Sequence, residues 1–96
     1  MRIQWFAAAI QDLISLRQYI AVEKPETPAD VAARILDNME NLRNHPALGR
    51  AGRVEGTREL IMGNLPFIIP YRVRNKTIEI LRVLHTSRRW PTQLKE

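Results

Sequence analysis

Residues 66–86 read PFIIPYRVRNKTIEILRVLHT, and the side-chain pattern of this stretch decides the fold class. From 67 to 73 every second side chain is apolar or aromatic, which predicts a strand with one buried face. Asn75 lies in a short polar interval that predicts a tight hairpin, because asparagine tolerates the left-handed conformation of such turns. Residues 77–86 are apolar on both sides and predict one long central strand. Pro70 cannot donate to a ladder, so its strand needs a free edge or a bulge there.

Two further strands and two helices are predicted upstream of this stretch. Residues 57–62 alternate between polar and apolar side chains, and residues 2–6 form a short apolar strand. A first helix over 7–22 carries an apolar stripe, with Asp12 turned away from it. After a proline break, Thr27 caps a second helix that ends at His45 and Pro46. The stripes consist of Ala9, Leu13, Leu16 and Ile20, flanked by Ile10 and Ile14, and of Ala32, Ile35, Met39 and Leu42.

The predicted element order is β-α-α-β-β-β, which defines an α+β fold of two layers. A helical hairpin packs on one face of a mainly antiparallel four-stranded sheet, and the other face is left open for binding. The chain of 96 residues is expected to form a single domain over 1–96.

Composition excludes several classes of function. There is no cysteine, so no disulfide, thiol nucleophile or thiolate zinc site is available. No phosphate loop, Gly-x-Ser-x-Gly or metal-ligand pattern is present, and we expect no cofactor, metal or small-molecule substrate. The chain has neither a secretory signal pattern nor an apolar run long enough to span a membrane. We therefore expect a cytoplasmic protein without a membrane partner.

Positive charge is concentrated in the second half of the chain. Residues 1–49 carry five basic and six acidic side chains, whereas residues 50–96 carry ten basic and four acidic ones. Arginine predominates, and its fork-shaped guanidinium is favoured at interfaces and phosphates. Solvated charge is the simpler interpretation, but we favour a binding surface for an acidic partner. The basic side chains concerned are Arg50, Arg53, Arg58, Arg72, Arg74, Lys76, Arg82, Arg88 and Arg89.

The candidate contact residues fall into three groups, each with a structural alternative. One group lies on a glycine-punctuated loop, where glycines permit close approach to a ligand but also occur in any mobile connection. A second group lies within strands and either faces the partner or caps the sheet edge. The third is a C-terminal cluster in which the tryptophan is nearly as well explained as a core residue. The candidates are Arg50 and Arg53 on the loop, Arg58, Arg72 and His85 on strands, and Arg88, Arg89 and Trp90 in the cluster.

The order and spacing of several short motifs resemble the RelE/ParE superfamily of type II toxin-antitoxin toxins, most closely its ParE branch. These motifs cover about nine-tenths of the chain. They are the Trp5 strand, Asp12-Leu13, Tyr19-Ile20-Ala21, the Pro46 turn, Gly49-Arg50, Gly52-Arg53-Val54, Gly56-Thr57-Arg58-Glu59, Pro70-Tyr71-Arg72-Val73, Leu84-His85 and Arg88.

The resemblance implies a toxin of a plasmid-stabilisation or stress module, neutralised by a cognate antitoxin that folds as it wraps the helices and sheet. Two activities are known on this fold. RelE-like members cut mRNA on the ribosome, whereas ParE-like members block DNA gyrase without known chemistry of their own. Fold alone does not separate the two activities.

Residue types favour the ParE-like activity, and hence a protein that is not an enzyme. RelE-like nucleases use several lysines and arginines plus a C-terminal tyrosine, but residues 60–64 here contain no lysine and the tail has no tyrosine. A nuclease alternative remains, with His85 and Glu55 or Glu59 as an acid-base pair. Its cationic groups would be Arg58, Arg72 and Arg88. We favour a hydrogen-bonding role for His85, and a non-toxic nucleic-acid-binding module is a third, weaker hypothesis.

Overall fold

A computed structural model describes residues 1–23, 28–62 and 65–86. The break between the helices and the Thr27 cap lie outside these residues. The elements, in chain order, are β1 (Arg2–Trp5), α1 (Ala7–Glu23), α2 (Pro28–Asn44), β2 (Arg50–Ala51), β3 (Arg58–Ile61), β4 (Phe67–Arg74), β5 (Thr77–Ile80) and β6 (Leu84–His85).

The predicted α+β fold, with two helices packed against a sheet, is confirmed. The strands form one sheet in the order β1-β5-β4-β3-β2, and β6 pairs with β4. All pairs are antiparallel except β1 with β5, so the sheet is mixed. It has six strands rather than the expected four, because Arg50–Ala51 forms a short edge strand and the last predicted strand is divided in two.

The prediction of one long strand over 77–86 is wrong, and the pairing with β4 shows why. Tyr71 pairs with Ile80 and Ile68 pairs with Leu84, so residues 81–83 lie opposite residues 69–70. One extra residue therefore bulges out between β5 and β6. The Pro70 carbonyl accepts a hydrogen bond from Leu81 N at 3.0 Å, which puts the Pro70 nitrogen on the same, bulged side. Of the two alternatives expected at Pro70, a free edge or a bulge, the structure has a bulge, and its extra residue lies on the partner strand.

The β4–β5 connection is the tight hairpin that the sequence predicts. Asn75 and Lys76 both have positive φ, at 51° and 57°. Two successive left-handed residues are the signature of a type I′ turn, whose twist matches that of the flanking strands. The hairpin is therefore fixed by local sequence.

The apolar core lies between the helices and one face of the sheet. The predicted helical stripes supply Ala9, Leu16, Ile35, Met39 and Leu42, all buried, while Leu13 is partly buried. The sheet contributes Leu60, Phe67, Ile69, Tyr71, Ile78 and Ile80. Ile10 and Ile14 are 45% and 51% exposed, so α1 presents apolar side chains to solvent as well as to the core. The expected core positions Ile20 and Ala32 lie outside the described side chains.

Asp12 is not turned away to solvent, as the helical pattern suggested. Its carboxylate accepts hydrogen bonds from Arg82 Nε at 2.7 Å, Arg82 Nη2 at 2.9 Å and the Val83 backbone N at 2.9 Å. These bonds tie α1 to the bulge and raise the pKa of Arg82. A polar position on the helix is thus used to hold the irregular part of the sheet.

Candidate macromolecular interface

The sheet has one face toward the helices and one face without helices, which we call the open face although Glu59, Ile68 and Pro70 on it are buried. Register assigns each side chain to a face. Leu60, Ile69 and Tyr71 are in the core, so their neighbours along the strands face the opposite way. Cross-strand partners share a face, which extends the assignment from strand to strand. The open face carries Glu59 and Ile61 of β3, Ile68, Pro70, Arg72 and Arg74 of β4, Thr77 and Glu79 of β5, and Arg2 and Gln4 of β1.

A buried carboxylate holds the two arginines predicted on the glycine loop. The Glu59 side chain is 2% exposed, whereas those of Arg50 and Arg53 are about half exposed. Glu59 Oε1 accepts from Arg50 Nε at 3.3 Å and Nη2 at 3.1 Å. Glu59 Oε2 accepts from the Arg53 backbone N at 2.9 Å and lies 3.2 Å from Arg53 Nε. One carboxylate therefore fixes both guanidinium groups while leaving their outer edges in solvent.

The environment of Glu59 keeps this carboxylate charged. Burial alone raises the pKa of Glu59, but the hydrogen bonds from the Arg53 backbone and the Arg50 side chain lower it. The charges of the two arginines act in the same direction, and the net pKa lies below its ordinary value of 4.5. The cluster thus keeps a net positive charge at neutral pH.

The loop glycines allow the chain to approach itself rather than a ligand. A Cβ on Gly49 would lie 2.6 Å from Tyr71 Cε1 and 2.9 Å from the Glu59 carbonyl oxygen. A Cβ on Gly52 would lie 2.2 Å from Thr57 Oγ1. Gly56 has a φ of 80° and nothing within 4 Å of such a Cβ, so its role is conformational. Sequence alone could not separate these uses.

Tyr71 and Arg58 clamp the turn between α2 and β2. The Tyr71 hydroxyl donates to the Pro46 carbonyl and accepts from Gly49 N, both at 2.8 Å, and burial raises the pKa of this phenol. Arg58 Nη1 donates to the Gly49 carbonyl at 2.8 Å. Since Arg58 pairs with Tyr71 across the strands, its side chain lies on the helix side and not on the open face. We assign Arg58 a structural role.

Arg72 does lie on the open face, but it is engaged by its neighbours. Its Nε donates to Glu79 Oε1 at 2.5 Å, and its guanidinium carbon lies 5.4 Å from the centre of the Phe6 ring. Both partners are largely buried, and the Arg72 side chain itself is only 25% exposed. Arg72 can present only its outer edge to a partner.

Three cations at the β4–β5 turn stand apart from these ion pairs. Arg2, Arg74 and Lys76 are exposed, and the described residues provide no salt bridge or side-chain hydrogen bond to any of them. Arg74 and Lys76 were predicted as part of the basic second half but not as candidate contact residues. Arg2 was not predicted in either group. The juxtaposition depends on the parallel β1–β5 register, which no local pattern reveals.

His85 and Glu59 do not form the acid-base pair of the nuclease alternative. His85 pairs with Phe67 and its ring contacts that of Phe67 edge-on at 5.5 Å, on the core side. Glu59 pairs with Pro70 on the open face, three residues further along β4 and hence about 10 Å away along the strand. Glu55 is exposed on the loop. Arg88, Arg89 and Trp90, predicted as a third group, lie outside the described residues.

The described part of the chain has neither a metal site nor a membrane-spanning helix. No group of three or more histidine, cysteine, aspartate or glutamate side chains there is arranged to hold a metal ion. Neither helix, within its described residues, is long and apolar enough to cross a membrane. The candidate interface therefore consists of charged and apolar side chains on the open face, supported by a helical hairpin.

Comparison with known proteins identifies a class of small α+β toxins. Residues 3–90 match the model of the family described as "ParE toxin of type II toxin-antitoxin system, parDE". "Putative toxin Y4kP" of Sinorhizobium fredii is 41% identical over 93 residues, covering 97% of this chain and 96% of the relative. "Toxin RelE2" of Caulobacter vibrioides is 29% identical and covers 91% of this chain and 97% of the relative.

Solved structures agree with the sequence relatives. The chromosomal ParDE toxin-antitoxin system from P. aeruginosa matches with a TM-score of 0.78 and 29% identity, over 91% of this chain and 97% of that chain. The toxin-antitoxin complex RelBE2 from Mycobacterium tuberculosis matches with a TM-score of 0.63 and 25% identity, over 88% and 95%. The chain belongs to the ParE toxin family of type II toxin-antitoxin systems, within the RelE/ParE superfamily.

Proposed function

We propose that this toxin acts on DNA gyrase by binding, without catalysing a reaction, and that a cognate antitoxin neutralises it. The observation that carries the proposal is the separation of His85 from Glu59 on opposite faces of the sheet, in a chain of the ParE family. General acid-base cleavage of RNA needs a proton donor and acceptor around one phosphate. His85 and Glu59 are too far apart to act as such a pair.

The open face supports binding in a different way. Arg50 and Arg53 are fixed by a buried carboxylate, so their orientation is set before a partner arrives. Preorganised side chains lose less entropy on binding than free ones. Arg72, held against Phe6, adds a third oriented guanidinium on the same face. We assign these three arginines to contact with the target and Arg58 and His85 to the toxin's own structure.

A paired assay tests the choice of target. The toxin is incubated with gyrase and supercoiled plasmid, and separately with translating ribosomes and message. We expect linear DNA that depends on both toxin and gyrase, and intact message. Message cut at codon-phased positions with an untouched plasmid would contradict the proposal and favour the RelE-like activity.

A His85→Gln variant sharpens this assay. Since His85 contacts Phe67 on the core side, we expect gyrase-dependent DNA breakage within twofold of the wild type. If His85 were catalytic, the rate of the reaction would instead fall about 100-fold or more.

An Arg50→Gln/Arg53→Gln variant tests the opposite case, and we expect it to lose gyrase-dependent breakage while it still folds. Breakage unchanged in that double variant would remove the open-face loop from the proposed contact.

The outer face of α1 supports an antitoxin partner. Ile10 and Ile14 are one helical turn apart and about half exposed, so they form an apolar stripe beside the core-facing stripe of α1. Exposed neighbouring apolar side chains of this kind mark interaction sites. We assign this stripe to a helical, partly apolar segment of the antitoxin.

Co-purification with the antitoxin tests the stripe. We expect Ile10→Glu/Ile14→Glu to release the antitoxin, because two carboxylates would be desolvated in the complex. Ile61→Glu, a substitution of an equally exposed isoleucine on the opposite face of the sheet, is the matched control and should retain the partner. Loss of the antitoxin from the Ile61 variant alone would place the interface on the sheet.

A further inference from the structure

The end of the sheet at the β4–β5 turn gathers cations from two strands and from the turn itself. Parallel pairing puts Arg2 beside Thr77, and antiparallel pairing puts Arg74 beside Thr77 on its other side. Neighbouring strands lie about 4.8 Å apart, so the Arg2 and Arg74 backbones are separated by about 10 Å. Lys76 lies in the turn itself, where its carbonyl accepts a hydrogen bond from Arg2 N at 3.4 Å. We call Arg2, Arg74 and Lys76 the hairpin-end cluster.

No acidic side chain in the described residues pairs with the hairpin-end cluster. Glu79 lies two positions beyond Thr77 on the same face, but its carboxylate is engaged by Arg72. Gln4, the partner of Glu79 on β1, is neutral. All three cations of the cluster are exposed, and the lack of an acidic partner among the described residues distinguishes them from the guanidinium groups held by Glu59, Glu79 and Asp12. Their charge is therefore available to an anionic partner.

We propose that the hairpin-end cluster binds the phosphate backbone of duplex DNA. The choice of duplex DNA rests on the proposed function, because gyrase is a DNA enzyme, whereas the choice of a nucleic acid rests on side-chain chemistry. Protein interfaces have cores that are rich in aromatic and poor in charged side chains. Protein–DNA interfaces are polar and strongly positive. Residues 1–3 and 73–78, which form this end, include three cations and no aromatic side chain.

The stiffness of the hairpin also suits backbone contact. Phosphate contacts fix the position of a protein on DNA without reading sequence, so the cations need stable spacing rather than base-specific geometry. The type I′ turn and the pairing of β5 with strands on both sides provide that spacing. The cluster would hold DNA at the hairpin end of the sheet while Arg50, Arg53 and Arg72 contact a protein.

Fluorescence anisotropy with a labelled duplex of mixed sequence tests the proposal across a range of salt concentrations. Each phosphate neutralised contributes about −0.9 to the slope of log affinity against log salt. We expect Arg74→Gln/Lys76→Asn to flatten this slope by about 1.8, and Arg2→Gln to flatten it by about 0.9. Asparagine is chosen at Lys76 because that residue has a positive φ of 57°.

Arg34→Gln/Arg43→Gln is the matched control. It removes the same number of charges from exposed positions on α2, where Arg43 lies 3.9 Å from Glu40 in a solvent-exposed ion pair. We expect the slope to stay within about 0.3 of the wild-type value. Equal flattening in both double variants would show that net charge alone attracts DNA, and would overturn the assignment. A wild-type toxin that does not bind the duplex would overturn it as well. Circular dichroism confirms that each variant is folded.

Two competing ligands and the gyrase assay complete the test. Polyglutamate or single-stranded RNA bound more tightly than duplex DNA, with the same sensitivity to the cluster variants, would assign the cluster to an acidic protein or to RNA and overturn the proposal. DNA binding does not require gyrase, so the two proposals fail separately. Cluster-dependent DNA binding without gyrase-dependent breakage would support this inference and reject the proposed function. Gyrase-dependent breakage without cluster-dependent DNA binding would support the proposed function and overturn this inference.

Discussion

Glu59 shows how one residue can set the arrangement of a whole loop. Its side chain is nearly fully buried on the face of the sheet that has no helices, and it accepts bonds from a backbone N–H and two guanidinium groups. Acidic residues are rarely buried unless paired, and the strand pattern around Glu59 gave no reason to expect it. The signal available in the sequence was the repeated glycine and arginine positions at 49–53, which lie next to it in space.

We expect Glu59→Gln to lower the free energy of unfolding by about 1–3 kcal/mol at neutral pH. An amide offers one acceptor fewer and turns an NH₂ group toward a guanidinium. Urea denaturation measures the change. Glu55→Gln, an exposed change on the same loop, should stay within about 0.5 kcal/mol. A loss that is the same in both variants would mean that the Glu59 cluster contributes nothing specific.

The lowered pKa of Glu59 predicts that the stabilisation by this carboxylate depends on pH. Because the pKa of Glu59 is lower in the folded protein than its ordinary value of 4.5, the unfolded chain binds the proton more readily. The stabilisation is therefore fully present above the ordinary pKa and is lost as pH falls through the folded pKa. We expect the stability difference between wild type and Glu59→Gln to be constant near neutrality and to shrink below about pH 4.5. Denaturation at a series of pH values checks this, and a difference that grows in acid would contradict it.

Gly49 and Gly56 differ in why they must be glycine. Gly49→Ala places a methyl group against the Tyr71 ring and a backbone carbonyl, so we expect a cost of about 3 kcal/mol. Gly56→Ala meets open space and costs about 1 kcal/mol, because only its left-handed backbone is strained. Comparing the two unfolding free energies tests the distinction. An equal or larger loss at Gly56 would contradict it.

At the scale of elements, the bulge between β5 and β6 is the feature that sequence patterns described least well. Residues 77–86 are apolar on both faces, so nothing in their periodicity marks an extra residue. The hairpin before it was predictable, because asparagine and the polar residues around it specify a turn locally. Pro70 also predicts an interruption of the hydrogen-bonding ladder, because it has no backbone N–H. The sequence shows the position of Pro70, but it does not show that the extra residue of the bulge lies on the partner strand.

A double-mutant cycle tests how α1 holds this bulge. Asp12→Ala removes the acceptor for both Arg82 and the Val83 N–H, whereas Arg82→Ala leaves the Val83 bond in place. We expect Asp12→Ala to cost about 1 kcal/mol more than Arg82→Ala. The coupling energy between them should be about 1–2 kcal/mol. Thermal or urea unfolding of the four proteins gives both numbers, and additive effects would show that the ion pair does not stabilise the junction.

For the whole molecule, the charge imbalance of the second half predicts a binding surface, and this stays a prediction; the imbalance alone did not show which cations are available to a partner. Several of its arginines are occupied by Glu59, Glu79 or Asp12. These pairings join residues far apart in sequence, and one of them reaches across to α1, so counting charge along the chain could not reveal them. The fold class followed from local periodicity and from motif order. The distribution of available charge required the register of every strand.

The parallel pairing of β1 with β5 has a consequence for synthesis. Arg2 is translated about 75 residues before its neighbour Thr77, and Trp5 about 75 residues before its partner Ile80. Contacts so distant in sequence form late and slowly, after the local β3–β4–β5 meander has had time to assemble. A nascent toxin on the ribosome therefore lacks its first strand, and with it the position of Arg2, until Ile80 has emerged. The surface that includes Arg2 is therefore complete only after Ile80 has been translated and has left the ribosome.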